Sequence, residues 1–170
     1  MSPSYCGIDL AVKRESAVAV MTGNLIEVQF LLADEEIINA CEEAKVVAID
    51  APLTYKEGYR EVDLLLVRRG LRVFPPSFIK ALTYRGMELS KSLNAIETHP
   101  TSSFKILGWD WKDLSNNKDE ADSVISAVTA YHYTMGKTLS FKAVDGEIHL
   151  LKPPRPSISS VGRRRYIIED

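Results

Sequence analysis

Apolar stretches of three different kinds follow one another along the chain. Tyr5 to Val12, Glu15 to Met21 and Leu25 to Leu32 are short strand-like runs, and Thr22-Gly23-Asn24 between the last two is turn chemistry at hairpin spacing. The spacing predicts an antiparallel three-strand meander. In its third strand Ile26, Val28 and Phe30 share one face and Glu27 and Gln29 the other, as in a half-exposed edge strand. After Asp34, placed to cap a helix, Ile37, Ala40, Cys41 and Ala44 recur at helical spacing. Val46 to Asp50 is then an unbroken apolar run closed by an aspartate, the pattern of a strand buried on both faces. The order so far is β-β-β-α-β.

Downstream, the pattern predicts a helix from about Tyr59 to Arg69 with Gly70 at its C-terminus, and a rigid break at Phe74-Pro75-Pro76-Ser77. A helix from Ser77 to about Tyr84 follows, and Gly86 separates it from a short helical piece, Met87 to Lys91. Asn94 to Thr98 reads as a fifth strand and Thr101 to Leu107, after His99-Pro100, as a short helix ending at Gly108. Trp109 to Asn117 is a connector. The clearest helix runs from Asp119 to Met135, with Ala121, Val124, Ile125, Val128, Tyr131, His132 and Met135 on its inward stripe. Leu139 to Val144 and Glu147 to Leu151 form a late hairpin around Asp145-Gly146. The expected architecture is one α/β domain over residues 1–152, a mixed five-stranded sheet flanked by helices, followed by a Pro-rich, basic, mobile tail at 153–170.

Composition narrows the class. A chain of 170 residues with 45% hydrophobic content suits one globular domain. No apolar run reaches the roughly 18 residues needed to cross a bilayer, and the N-terminus lacks a secretory pattern. Cys6 and Cys41 read as small buried hydrophobes without a disulfide, so a cytoplasmic location is expected. A net charge of -2 argues against non-specific coating of nucleic acid. Charge is uneven, however. From Lys56 to Lys91 eight basic residues face four acidic ones. Arg60, Arg68, Arg69, Lys80 and Arg85 are therefore candidate contacts to a phosphate backbone, with a solvated face as the plainer alternative.

The chemistry lies in the acids. Asp50 closes a buried strand, Asp9 interrupts Cys6-Gly7-Ile8-Asp9-Leu10, and Glu97 comes at the exit of the fifth strand. In open α/β sheets, ligands gather at the carboxyl ends of strands. An aspartate before Ala51-Pro52 also suits a simple turn, and it is the second acid in a second apolar strand that shifts the reading. Asp119 and Asp122 lie three residues apart near the start of the long helix, where acids also complement the helix dipole. Asp122, at the edge of the apolar stripe, is the stronger candidate. Clustered carboxylates cannot all ionise without a cation among them, and oxygen-only ligands favour Mg²⁺ or Mn²⁺. The isolated histidines His99, His132 and His149 suggest no zinc site, and neither a phosphate-binding Gly-rich loop nor a serine elbow is present. His99, Trp109 and Trp111 read as packing or turn residues.

The β-β-β-α-β order, with acids in the first strand, at the end of the fourth and early in a late helix, resembles the RNase H-like fold of RuvC-type resolvases. More closely, G-I-D-L-A, V-V-A-I-D-A-P-L, R-V-F-P-P-S, I-E-T-H-P-T-S-S-F, D-E-A-D-S-V-I-S-A and D-G-E-I-H-L resemble successive blocks of the predicted RNase H-like nuclease family catalogued as domain of unknown function family 429. The blocks span Gly7 to Leu150. Ser123 departs from the alanine usual after the last aspartate of the resolvase-type motif. The resemblance implies a metal-dependent nuclease with Asp9, Asp50 and Asp122 as Mg²⁺ or Mn²⁺ ligands, Glu97 and Asp119 as further acids of the site, and DNA or RNA as partner. Two other functions fit less closely: a catalytically silent nucleic-acid- or protein-binding module, and a phosphotransferase related to the actin-like kinases.

Overall fold

Side-chain alternation in the first strand fixes the layers of this molecule. The computed structural model describes residues 2–169. In β1 (Ser4–Asp9), Tyr5, Gly7 and Asp9 point to one face of the sheet and Cys6 and Ile8 to the other. The first face is covered by the long helix α5 (Lys118–Thr134), the second by α1 (Asp34–Cys41) and α3 (Lys80–Ser90). Both faces are thus buried, which is why the strand reads as apolar throughout.

The elements, in chain order, are β1, β2 (Ser16–Thr22), β3 (Leu25–Leu31), α1 (Asp34–Cys41), β4 (Val46–Ile49), α2 (Glu61–Arg68), α3 (Lys80–Ser90), β5 (Ala95–Thr98), α4 (Pro100–Leu107), α5 (Lys118–Thr134), β6 (Thr138–Ala143), β7 (Gly146–Leu151), β8 (Ser157–Gly162) and β9 (Arg165–Glu169). Short 3₁₀ turns at Pro76–Ile79 and Trp111–Asp113 precede α3 and α5. The described residues form one mixed sheet of nine strands, in the order β6-β7-β5-β4-β1-β2-β3-β9-β8. The meander β1-β2-β3 is antiparallel, while β1, β4, β5 and β7 run parallel to one another.

Several expectations change. The sheet has nine strands, not five, because the late hairpin adds β6 and β7 beside β5 and the supposed tail adds β8 and β9. Residues 157–169 form a hairpin whose β9 pairs with β3 at Leu25–Ile167, Ile26–Tyr166 and Glu27–Arg165. Tyr166 and Ile168, two residues apart on one face of β9, are buried in the main core. The third strand is therefore not an edge. Gly86 does not divide α3. An added Cβ would lie 3.1 Å from the Ala51 Cβ and 3.2 Å from the Pro52 carbonyl oxygen, so the glycine lets an unbroken helix press on the loop after Asp50. Cys6 and Cys41, expected to be free, form a disulfide with Cα atoms 5.8 Å apart. The cause is tertiary: α1 lies across the Cys6 face of the sheet. Their pairing removes one support for the expected cytoplasmic location. No helix among the described residues is long and apolar enough to cross a membrane.

Gly7 sets the approach of α5. A Cβ there would stand 2.1 Å from the Ala127 nitrogen and 2.3 Å from the Ser123 carbonyl oxygen. Backbone packs directly on backbone, and Ala121, Val124, Ala127 and Val128 fill the layer around it with no exposure. Gly7→Ala is expected to cost at least about 3 kcal/mol, because the clash is with helix backbone and not with a side chain that can swing away. Thermal denaturation checks this; a melting point within a degree of wild type would show that α5 can lift at little cost.

Candidate functional site

Register brings the first two acids together. β1 and β4 pair in parallel with Ile8 opposite Ile49, and the Asp50 nitrogen donates to the Ile8 carbonyl at 2.9 Å. One step further along both strands stand Asp9 and Asp50, side by side on the face that α5 covers. Tight packing at Gly7 seats the first turns of α5 above them, which delivers Asp122. One carboxylate oxygen from each of Asp9, Asp50 and Asp122 lies within 4.8 Å of the others. Asp9 is 7% and Asp122 4% exposed, while Asp50 is half-buried.

The donors around this cluster are few. The Lys118 ammonium, one turn earlier on α5, reaches Asp122 Oδ2 at 2.7 Å. Arg14 holds Asp119 through two bonds of 3.0 and 3.3 Å. Asp9 Oδ2 and Asp122 Oδ1 are buried and have no donor. Two orphaned carboxylate oxygens are costly unless a proton or a cation is added.

The titration behaviour agrees. Burial, then the charges of Asp50, Asp122 and Asp119, push Asp9 up to about 10. Burial and Asp122 push Asp50 up to about 7 against the hydrogen bond from Asp9 and the charge of Lys118. Burial also raises Asp122, with Lys118 pulling the other way. For Asp119 burial raises, but Arg14 and the hydrogen bond from Asp9 win, and its pKa falls. Near neutral pH Asp9 thus keeps its proton. A divalent cation would replace that proton. Oxygens on one Mg²⁺ stand at most about 4.2 Å apart, twice the usual bond length, so small side-chain rotations suffice to close the trio on an ion.

Glu97 behaves differently. Its carboxylate accepts from Arg60 at 2.6 and 2.9 Å and from the Leu53 nitrogen at 2.9 Å. Burial raises its pKa while Arg60 lowers it, and the guanidinium, which does not deprotonate, keeps the pair ionic. Glu97 lies outside the acidic trio and anchors the loop that follows Asp50.

Arg60 is a correction to the expected phosphate-binding set. It is 1% exposed, and its five N–H groups all go to Asp63, Glu97 and the Thr54 hydroxyl, so none remains for a ligand. Arg85 is also committed: it bonds Asp34 and the carbonyls of Ala11 and Leu32, tying α3 to the loop after β1. Arg68 and Arg69 are exposed at the far end of α2, about 12 Å of helix from Arg60, with Arg69 over the Phe141 ring. Lys80 is exposed beside Tyr55, its ammonium 5.7 Å from the ring centre. Of the five basic candidates, Lys80 alone is an exposed charge beside the Asp50 loop, where it pairs loosely with Glu57 at 3.9 Å. Lys118 and Arg14 were not singled out from the sequence; the signal for Lys118 was its i, i+4 spacing to Asp122, whereas nothing local links Arg14 to Asp119. His99, pushed down to about 4 chiefly by burial, is neutral and sits 2.6 Å from the Ser102 hydroxyl. Trp109 packs on Phe104 as a core residue.

Fold and site together define an α/β protein with a buried carboxylate trio at the carboxyl ends of its central parallel strands. The chain belongs to the DUF429 family, described as a protein of unknown function, whose model matches residues 7–123. That span contains all five acids discussed above. No curated protein and no solved structure matches the chain.

Proposed function

We propose that this protein is a metal-dependent phosphodiester hydrolase acting on nucleic acid, built on an RNase H-like core. The observation that carries the reading is the trio itself: three carboxylates within 4.8 Å, two with buried oxygens that lack any donor. The strand order β3-β2-β1-β4-β5, with β2 antiparallel and the third acid on the helix over β1, supports the RNase H-like assignment. Asp9, Asp50 and Asp122 would hold Mg²⁺ or Mn²⁺. Such ions, when bound, supply an activated water and charge stabilisation at the leaving oxygen.

The protein's own groups have separable tasks. Asp9 and Asp50 present their carboxylates from rigid strand ends, Asp122 closes the trio from α5, and Lys118 balances charge from the solvent side. Asp119 is held in place by Arg14 on the first turn of α5. Glu97 and Arg60 position the loop after Asp50.

The test is direct. Purified protein is titrated with Mn²⁺ by calorimetry and then assayed against single-stranded, duplex and branched DNA and RNA with each metal. The expected result is Mn²⁺ binding with proton release and metal-dependent strand cleavage. If no substrate is cut, or if cutting survives Asp9→Asn, the hydrolase reading fails.

A further inference from the structure

Beside the trio the molecule has a cleft that the proposed hydrolysis does not itself require. A cavity of about 270 Å³ shares Asp50 with the cluster, and its walls include Leu10, Pro52, Phe74, Ile79 and Leu82. This is near the lower end of small-ligand pockets, room for one flat ring system and not for a whole nucleotide. The lining is largely apolar. Of its polar lining, Arg60 is taken up by Asp63 and Glu97, and His99 spends its Nδ1 on Ser102. A ligand there would be held mainly by contact with ring and aliphatic faces.

The rim is unusual for a surface. Phe74 is 67% and Phe78 75% exposed, flanking the rigid Pro75-Pro76 pair. Single exposed aromatics are ordinary, but rings at the mouth of an apolar cleft extend it into a contact surface. Nearby, Tyr55 of the Asp50 loop stacks on Tyr84 of α3 with ring centres 5.1 Å apart and planes 15° from parallel, and Lys80, one turn before Tyr84, lies over Tyr55. The apolar cleft and the exposed Phe74 ring thus adjoin Asp50, with Lys80, an exposed cation paired loosely with Glu57 at 3.9 Å, beside the loop that follows.

We propose that this cleft receives an unpaired nucleobase next to the phosphate held at the trio, so that the substrate is single-stranded, or locally unpaired, nucleic acid. This rests on the hydrolase reading for the position of the phosphate. The occupant follows from connectivity: what fills a cleft that shares Asp50 must be attached to what the trio acts on, and the flat apolar substituent on a nucleic-acid phosphate chain is the base. Stacking on Phe74 accepts any base, while Lys80 offers charge to the adjoining backbone. A base inside a duplex is paired and stacked on both faces, so it would have to leave the helix to enter.

The experiment measures binding in Ca²⁺ by fluorescence anisotropy, using a labelled 12-nucleotide DNA strand, the same length of abasic sugar-phosphate strand and a matching duplex, alongside cleavage in Mn²⁺. Wild type is expected to prefer the intact strand over both others. Phe74→Ala, whose side chain is mostly exposed, should keep its melting temperature yet bind the intact strand about 10-fold more weakly and the abasic strand equally well. Unchanged preference in Phe74→Ala, equal binding of duplex, or no strand binding at all overturns the assignment. So does tight binding of an apolar peptide where the strand is ignored, which would make the cleft a protein-docking site. Cleavage with a Phe74-independent preference leaves the hydrolase and removes the cleft; a Phe74-dependent preference without cleavage in any metal does the reverse.

Discussion

Asp9→Asn is expected to lower metal-dependent turnover by more than 100-fold and at the same time to stabilise the metal-free protein. Groups that merely orient metal ligands cost about 10- to 100-fold when lost, and a direct ligand should exceed that. The stability effect follows from proton linkage. The folded-state pKa of Asp9, about 10, stands above its unfolded value near 3.8. The folded protein therefore binds more protons throughout that window. Its contribution is complete below pH 4 and is lost as the pH rises toward 10. Asparagine does not titrate, and its amide can donate where the Asp9 proton did. The gain of the variant should thus be small near pH 4 and grow to several kcal/mol by pH 8, about 5 if the whole shift is expressed, a melting shift on the order of 10 °C. Saturating Mn²⁺ should reverse the order, since the ion stabilises wild type alone. A melting difference that stays flat between pH 4 and 9 would show that the cluster stores no such repulsion.

Arg60→Met is expected to destabilise by about 3–5 kcal/mol although it adds apolar surface. It leaves Asp63, at 1% exposure, and Glu97, at 6%, without their shared counter-charge. Without Arg60, Glu97 loses the partner that lowers its pKa while burial still raises it, so the loss should deepen as the pH climbs above about 4.3 and shrink in acid, where Glu97 is protonated. Adding Asp63→Asn and Glu97→Gln should recover part of the loss, because neutral groups are cheaper to bury than unpaired charges. Urea denaturation at pH 4 and pH 8 makes the comparison. A single variant as stable as wild type at pH 8 would mean that solvent reaches this network.

The strand ends were legible because each acid is a polar break in an apolar run. The meeting of Asp9 and Asp50 was legible too, since a parallel pairing of two buried strands on one sheet face leaves little freedom of register, whereas Glu97, expected with them, turns to Arg60 instead. Arg60 was misread for a physical reason. Its sequence neighbours are basic and polar, but its environment is set by Glu97, 37 residues away, and by Asp63 within its own helix. Local charge counts cannot distinguish a guanidinium that faces water from one walled in by carboxylates. The segment after residue 152 was misread because its prolines and arginines outweigh a weak alternation. Yet Tyr166 and Ile168 bracketing Ile167 are the trace of a strand. Its tight turn gave no usual signal, since Arg164 takes the positive φ of 57° that a glycine would be expected to supply. Asp145 shows a double use: within the predicted hairpin turn, it also accepts from the Glu61 and Val62 nitrogens and so caps α2.

The pairing of β9 with β3 also bears on the order in which the molecule assembles. The two strands are joined in register although more than a hundred residues separate Leu25 from Ile167. Contacts of such separation form slowly, because loop entropy is lost before any burial rewards it. The meander and the parallel strands that carry Asp9 and Asp50 can be complete while β3 still offers an open row of N–H and C=O groups. During that interval the outer edge of β3 is a template for any passing strand, including β9 of another copy. The strand that covers β3 is therefore also the one whose pairing spans the longest stretch of chain in the sheet.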